Sequence, residues 1–177
     1  MKKLISALLL SSVLTACVDN EPQAIKEYVH VGENWAALNS VQDSENSFNV
    51  TVNTVSSAVL GEKLAFKISS EQAGKLWVLQ VDPNDDISLI YPNVMSSDNR
   101  IEKNSWKTVP KAGAGWSIEA MKPLGNSMMV FIVTDPYTDL KAVFNEPSGA
   151  MNKALTLVKK SASWGLAKQV ITIKEKL

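Results

Sequence analysis

Between residues 48 and 134 the chain repeatedly alternates apolar and polar side chains, and glycine, proline, asparagine or aspartate residues separate these segments. Because successive side chains of a β-strand point to opposite faces, this period of two predicts half-buried strands joined by turns. Residues 76–81 form a nearly continuous apolar run, and residues 128–134 are apolar on both faces, which predicts a central strand. The predicted strands are 48–55, 64–68, 76–81, 87–91, 116–120 and 128–134.

A turn and a C-terminal change of pattern complete this prediction. Asp82–Asp86 contains a proline and several Asx residues, which predicts a hairpin between the strands on either side. Residues 150–160 have the spacing of a short amphipathic helix with lysines near its C-terminal end, and 170–173 predicts a final strand. The sequence therefore predicts a mainly β protein, a small β-sandwich or barrel-like domain with one or two short C-terminal helices.

The charge balance argues against a polyanionic partner. The 177 residues include 18 Lys and Arg and 18 Asp and Glu, so the formal net charge is zero. A neutral chain has no long-range field that attracts nucleic acid. We therefore expect no nucleic-acid partner.

The N-terminus has the pattern of an export signal. Lys2 and Lys3 precede an apolar run from Leu4 to Leu14, which is too short to span a bilayer and is typical of a secretory signal peptide. The motif that follows, Leu14, Thr15, Ala16 and Cys17, resembles the bacterial lipobox.

The resemblance to the lipobox implies that the signal peptide is cleaved before Cys17. This cysteine then carries a diacylglyceryl thioether and an N-acyl chain such as palmitate. Several acyl chains make membrane attachment effectively permanent. Val18, rather than aspartate, follows the cysteine, and the resemblance then implies an outer-membrane lipoprotein, which we expect to face the periplasm. Cys17 is also the only cysteine, so the exported domain contains no disulfide.

These observations predict three regions. Residues 1–16 are the lipoprotein signal peptide, residues 17–47 are the lipidated N-terminus with a polar tether, and residues 48–177 are the β-rich globular domain. Within the tether, apolar residues around Trp35 and Leu38 are compatible with a short docked segment, whose structure the pattern leaves open.

The centre of the domain, residues 60–136, resembles the bacterial domain-of-unknown-function family numbered 4384. This resemblance implies a β-rich fold and carries no catalytic residues over. The matching pieces are Leu60–Phe66, Gly74–Asp82, Leu89–Asn93 with Asn99–Ile101, Val109–Pro110, Pro123–Gly125 and Val130–Thr134.

No motif indicates a metal, a cofactor or a catalytic mechanism. Asp82, Asn84 and Asp86 have the spacing of a calcium loop, but the glycine and the glutamate that complete such a loop are missing. His30 is the only histidine, so no triad or multi-histidine zinc site can form within one chain. A carboxylate pair such as Glu119 with Asp135 remains a minor alternative for hydrolase chemistry. We therefore expect no metal and no cofactor.

The tryptophans offer candidates for binding. Trp77 and Trp116 lie within strand patterns, which favours core positions, whereas Trp106 lies in an irregular segment near several cations. Trp106, together with Arg100 and Tyr91, is the predicted contact for a ligand or partner.

The function expected from these features is that of a non-enzymatic, lipid-anchored accessory or adaptor protein. Its partners would be the membrane, through the lipid, and an envelope protein, for example in a secretion-related assembly. The alternative is a module that binds peptidoglycan or another glycan through Trp106, and a carboxylate-based hydrolase is a third hypothesis.

Overall fold

The computed structural model describes residues 32–145 and 149–176. These ranges contain two α-helices, α1 (Glu33–Ser40) and α2 (Ala150–Lys160), and two short 3-10 helices, Asp43–Glu45 and Lys141–Asn145. The strands are β1 (Val50–Asn53), β2 (Ser57–Val59), β3 (Lys63–Leu64), β4 (Phe66–Ser70), β5 (Gly74–Val81), β6 (Ile87–Tyr91), β7 (Arg100–Ile101), β8 (Lys107–Val109), β9 (Ile118–Glu119), β10 (Gly125–Thr134) and β11 (Trp164–Lys174).

The described strands form one large sheet and two small ones. The large sheet has the order β2-β11-β10-β5-β6, and the short strand β7 also pairs with β5. The small sheets are β1-β4-β8 and β3-β9. All pairs are antiparallel except β2 with β11. The prediction of a mainly β fold is therefore confirmed.

The large sheet is buried on both faces at its centre. Along β10, Met129, Phe131 and Val133 belong to one hydrophobic cluster, whereas the alternate residues Met128 and Val130 belong to another. This alternation follows from the two-residue period of a strand, and it confirms the prediction that residues 128–134 form a central strand. The sheet therefore separates two apolar cores.

The small sheets cover the first face. Phe66 and Ile68 of β4 are fully buried against β5 and β10, and the ring of Phe66 meets that of Phe131 edge-to-face, with centroids 5.2 Å apart. This arrangement of sheets is that of a small sandwich.

The helices cover the second face. Leu38 of α1 and Met151, Leu155 and Val158 of α2 pack against the large sheet. Trp77 is buried there, as its position within a strand predicts, and its indole N–H donates to Thr134 Oγ1 (3.0 Å). Among the described helices none is long and apolar enough to cross a membrane.

The domain begins earlier than the sequence predicts. The interpretation of residues 17–47 as a polar tether is wrong for residues 33–47, because Leu38 and Val41 are buried in the second core. Asn46 pairs with the edge of β11: its side-chain amide donates to the Leu166 carbonyl (2.9 Å) and its oxygen accepts from the Leu166 N–H (3.0 Å). Residues 17–31 of the predicted tether lie outside the described residues.

Candidate functional site

An open cavity of about 570 Å³ follows β8 and the segment after it. We call it the β8 groove. Its lining combines aromatic rings with polar and charged groups: Tyr91, Ser96, Asp98, Trp106, Lys107, Thr108, Val109, Pro110, Lys111, Ala112 and Trp116. Pro110 ends β8 because proline has no N–H for a sheet ladder, so the chain leaves the sheet along the groove.

One wall of the β8 groove is fixed by a cluster of hydrogen bonds around Asp98. The Asp98 carbonyl accepts a hydrogen bond from the hydroxyl of Tyr91 and another from Lys107 Nζ (3.4 Å). Lys107 Nζ also donates to the carbonyl of Arg100 (2.7 Å) and lies 5.6 Å from the centroid of the Tyr91 ring. The side chains of Tyr91 and Lys107 therefore hold the backbone of residues 98–100 in place.

The carboxylate of Asp98 is neutralised by its neighbour. Arg100 donates from Nε and from its terminal nitrogen to the two oxygens of Asp98, both at 2.9 Å. These hydrogen bonds hold the pKa of the Asp98 carboxyl well below its usual value. Asp98 is therefore a paired anion at neutral pH and does not act there as an acid.

A second cavity, of about 340 Å³, lies on the outer face of the sheet β1-β4-β8. We call it the sheet groove. Asn53 of β1, Lys67 of β4 and Thr108 of β8 line it and are neighbours in the strand register, since Asn53 pairs with Lys67 and Lys67 with Thr108. Trp106 and Thr108 line both this cavity and the β8 groove, so the indole of Trp106 lies between the two.

A third feature is an apolar tip after β6. Val94 and Met95 are 99% and 63% exposed, and the turn that carries them is held by hydrogen bonds. Asn93 Oδ1 accepts from the N–H groups of Met95 (3.0 Å) and Ser96 (2.9 Å). Beside this tip, a cavity of about 570 Å³, which we call the β6 groove, is lined by Ile87, Ser88, Leu89, Pro92, Asn93, Val94, Ser97, Lys141 and Phe144.

The structure brings two of the three predicted contact residues to one groove and gives them different roles. Trp106 is 56% exposed and lines the groove with its ring, whereas Tyr91 is buried and supports the wall. Arg100 is paired with Asp98 and does not line either cavity that Trp106 shares. Cys17 and the residues Leu14, Thr15 and Ala16 lie outside the described residues.

The acidic turn considered for calcium has a structural role. Asp82 Oδ1 accepts from the N–H groups of Asn84 (2.8 Å) and Asp86 (2.9 Å), which closes the hairpin. Asp85 accepts from the N–H groups of Asn34 (2.9 Å) and Trp35 (3.0 Å), so its carboxylate caps the N-terminus of α1. Within residues 32–145 and 149–176, no group of three His, Cys, Asp or Glu side chains is placed to hold a metal ion.

The two carboxylates proposed as a pair have separate partners. Glu119 accepts from the hydroxyl of Ser117 (3.0 Å). Asp135 accepts from the hydroxyl of Ser161 (2.6 Å) and from the N–H of Ala162 (2.8 Å), and its other oxygen accepts from the N–H of Tyr137 (2.7 Å). These bonds, that of Ser161 foremost, lower the pKa of Asp135 and fix it as a charged acceptor between β10 and β11.

Sequence reasoning missed the Val94–Met95 tip and Lys67. The tip was recognisable in the sequence, because the large apolar residues Val94 and Met95 lie between the turn-forming residues Asn93 and Ser96, and a turn does not need apolar side chains at such positions. Lys67 had none, because an exposed lysine on an alternating strand is the ordinary outcome of that pattern.

Comparison with known families covers the middle of the chain. Residues 58–136 match the family model described as Domain of unknown function (DUF4384). The protein therefore contains a region that resembles DUF4384, as the sequence motifs predicted. Searches of curated proteins and of solved structures found no match. The DUF4384 region extends from β2 to the end of β10 and includes Tyr91, Val94, Met95, Lys67 and Trp106, but not β1, β11 or the helices.

Proposed function

We propose that this protein is a non-enzymatic, lipid-anchored accessory or adaptor protein of the bacterial envelope, which holds a partner protein near the outer membrane. The observation that carries the proposal is the Val94–Met95 tip beside the β6 groove. The lipobox-like motif at Cys17 supports the location, and we place the domain on the periplasmic side.

The tip has the character of a contact surface. Its turn is held by hydrogen bonds to Asn93, and Val94 and Met95 are exposed to solvent on it. Burying a valine or methionine side chain that was exposed contributes about 1.5–3 kcal/mol. A partner that covers both residues would gain this free energy, and their exposure gives the isolated domain no such benefit.

The β6 groove extends this apolar surface. Leu89 of β6 and Phe144 of the second 3-10 helix line it, with Lys141 at its border. Strand β6 pairs with β5 on one side, and no described strand pairs with its other side. A strand edge that no described strand pairs with, beside an apolar groove, is suited to an extended segment of a partner protein.

The described carboxyl groups whose pKa values are shifted are hydrogen-bond acceptors and not general acids near neutral pH. The carboxyl groups with shifted pKa values are Glu45, Glu71, Asp98 and Asp135, and each shift is downward because hydrogen bonds stabilise the charged form. A general acid that works near neutral pH needs a shift in the opposite direction. These groups therefore act as structural acceptors.

The anchor is tested by changing Cys17. We expect the Cys17→Ser variant to accumulate as uncleaved precursor or to leave the membrane fraction, and we expect the N-terminal peptide of the wild-type protein to carry the mass of three acyl chains. A wild-type protein with an unmodified Cys17 would contradict the location.

The contact surface is tested by capture from envelope extracts. We expect the wild-type chain to retain a defined set of envelope proteins, and the double variant Val94→Ser, Met95→Ser to lose them. Tyr137→Ser is the matched control because Tyr137 is also exposed (94%) and lies outside the β6 groove. Equal capture by all three proteins would contradict the surface that we propose.

A further inference from the structure

We infer that the surface around Trp106 binds peptidoglycan, a glycan strand whose sugars carry N-acetyl groups and whose attached peptides carry free carboxylates. This surface comprises the β8 groove and the sheet groove. It shares no lining residue with the β6 groove, so the inference does not rest on the adaptor function.

Trp106 supplies an aromatic face at the centre of this surface. It precedes β8 and is 56% exposed, and it lines the cavities on both sides. An indole presents a large, flat apolar area that costs little conformational entropy to fix. Sugar rings have an apolar face of C–H groups, so a ring can stack on the indole while its neighbours along the strand enter the two grooves.

The sheet groove supplies polar partners in a row. Asn53, Lys67 and Thr108 belong to three adjacent strands and are aligned by the strand register. Adjacent strands are about 4.8 Å apart, so the row extends about 10 Å, which is comparable with two linked sugar rings. An amide, an ammonium and a hydroxyl together can donate to and accept from sugar hydroxyl groups.

The available charge on this surface is positive. The side-chain ammonium groups of Lys67 in the sheet groove and Lys111 in the β8 groove have no hydrogen-bond or ion-pair partner among the described residues. The other charged side chains that line the grooves have partners within the protein: Asp98 is paired with Arg100, and Lys107 donates to backbone carbonyls. A ligand with carboxylates separated along a strand would satisfy Lys67 and Lys111 together.

The lining of the β8 groove also suits an acetamido group. Trp116, Pro110 and Ala112 provide apolar residues, and Ser96, which carries a hydroxyl group, belongs to the same lining. The methyl of an N-acetyl group would pack on these apolar residues, and its amide would hydrogen-bond to the hydroxyl in the lining. A polyuronate lacks the methyl group, and a neutral polymer of N-acetylated sugars lacks the carboxylate.

The inference is tested by co-sedimentation of the full chain, in detergent, with peptidoglycan sacculi from which attached proteins have been digested. Chitin, which is N-acetylated and neutral, is the comparison polymer. The variants are Trp106→Ala and the double substitution Lys67→Gln, Lys111→Gln, which changes only exposed side chains and keeps the test valid if Trp106→Ala does not fold. Tyr137→Ala and Lys160→Gln are the matched controls, since both residues are exposed and lie outside the two grooves.

We expect the wild-type chain to bind sacculi, with a dissociation constant raised at least tenfold by Trp106→Ala and about three- to tenfold by the double lysine variant. The control variants should bind sacculi as the wild type does, and the wild-type chain should bind chitin more weakly than sacculi.

Three outcomes would overturn the inference: no binding to digested sacculi, binding that Trp106→Ala leaves unchanged, or equal binding to chitin. Binding to undigested sacculi alone would indicate a protein partner and would also overturn it. If Trp106→Ala loses sacculus binding but still captures proteins through Val94 and Met95, this site is distinct from the adaptor surface.

Discussion

At the scale of single residues, the contact between Gly32 and Asp85 determines where helix α1 begins. Asp85 receives the N–H groups of Asn34 and Trp35 on its two carboxylate oxygens, so the helix is capped by a residue about fifty positions away. A Cβ atom on Gly32 would lie 2.1 Å from Asp85 Cγ. Only glycine therefore permits the carboxylate to approach the helix end.

We predict that Gly32→Ala destabilises the protein by about 1–3 kcal/mol, because the carboxylate must move and leave the helix N–H groups without their acceptor. Urea unfolding measures the change. Gly115→Ala is the matched control, since a Cβ there meets nothing within 4 Å, and it should change stability by less than about 0.5 kcal/mol. Equal effects of the two substitutions would contradict the capping role of Asp85.

A second residue, Asp135, makes stability depend on pH. Its folded pKa is lowered chiefly by Ser161. A carboxyl group with a depressed folded pKa contributes stability in full above its unfolded pKa, about 3.9, and loses it as the pH falls through the folded pKa. The dependence therefore lies in the acidic range below about pH 4.

We predict that Asp135→Asn costs about 1–2 kcal/mol at pH 7, a figure that allows for the partial exposure of Asp135. The difference from the wild type should shrink as the pH falls below about 4. Unfolding by urea at several pH values measures it, with Glu175→Gln as a control that also removes one exposed negative charge. A difference that stays constant down to pH 2 would argue against Asp135 as the titrating group.

At the scale of elements, the central strands were predictable and the edges were not. Residues 76–81 and 128–134 lie in β5 and β10, as predicted. A strand that is buried on both faces consists of a nearly continuous run of apolar residues, which is recognisable in the sequence. Strand β11 extends over Trp164–Lys174, far beyond the predicted 170–173. Its first half contains Gly165 and Lys168, which weaken the pattern, and it forms because ten consecutive residues pair with β10. A short segment of sequence does not show which distant strand it pairs with.

Helix α1 escaped prediction for the same physical reason. Its eight residues have no side-chain cap of their own, and Asp85 supplies that cap only after folding. By contrast, the pattern of residues 150–160 predicted α2 with the correct bounds, because its apolar face and its C-terminal lysines are local features.

The edge of β11 gives a prediction for one element. The side chain of Asn46 makes the two hydrogen bonds to Leu166 that a neighbouring strand would make. We predict that Asn46→Ala lowers stability by about 1–2 kcal/mol and speeds hydrogen exchange at the Leu166 amide, because that N–H loses its acceptor. Asn126→Ala, which removes only an exposed side-chain contact to Thr172, is the control. Unchanged exchange at Leu166 in the Asn46 variant would contradict this role.

At the scale of the whole molecule, the DUF4384 region supplies only part of the second hydrophobic core. It contains β5 and β10 but lacks β11 and both helices, which cover Trp77, Val130 and Ile132. We predict that a fragment of residues 58–136 does not fold, since one face of its central strands would be exposed. Near-ultraviolet circular dichroism and amide dispersion in NMR spectra measure this. A folded fragment with native tryptophan signals would contradict it.

The candidate surfaces were predictable only in part. An irregular segment rich in cations indicated Trp106, and the structure adds Lys67 to its surroundings through the register of β4 with β8. The lipid attachment at Cys17 depends on a local motif and remains a prediction. The Val94–Met95 tip becomes recognisable as a surface only when Phe144, some fifty residues away, is placed beside it by the packing of the 3-10 helix on β6.

The central claim, that an anchored domain holds a partner protein through this tip, is tested most directly by photo-crosslinking in cells. A photoreactive amino acid replaces Met95 in the full chain, and Glu175 is the control position because it is exposed and outside the β6 groove. We predict one defined protein adduct from position 95, in the outer-membrane fraction, that is lost when Cys17→Ser is combined with it. The absence of an adduct at position 95, or the same adduct at position 175, would contradict the account.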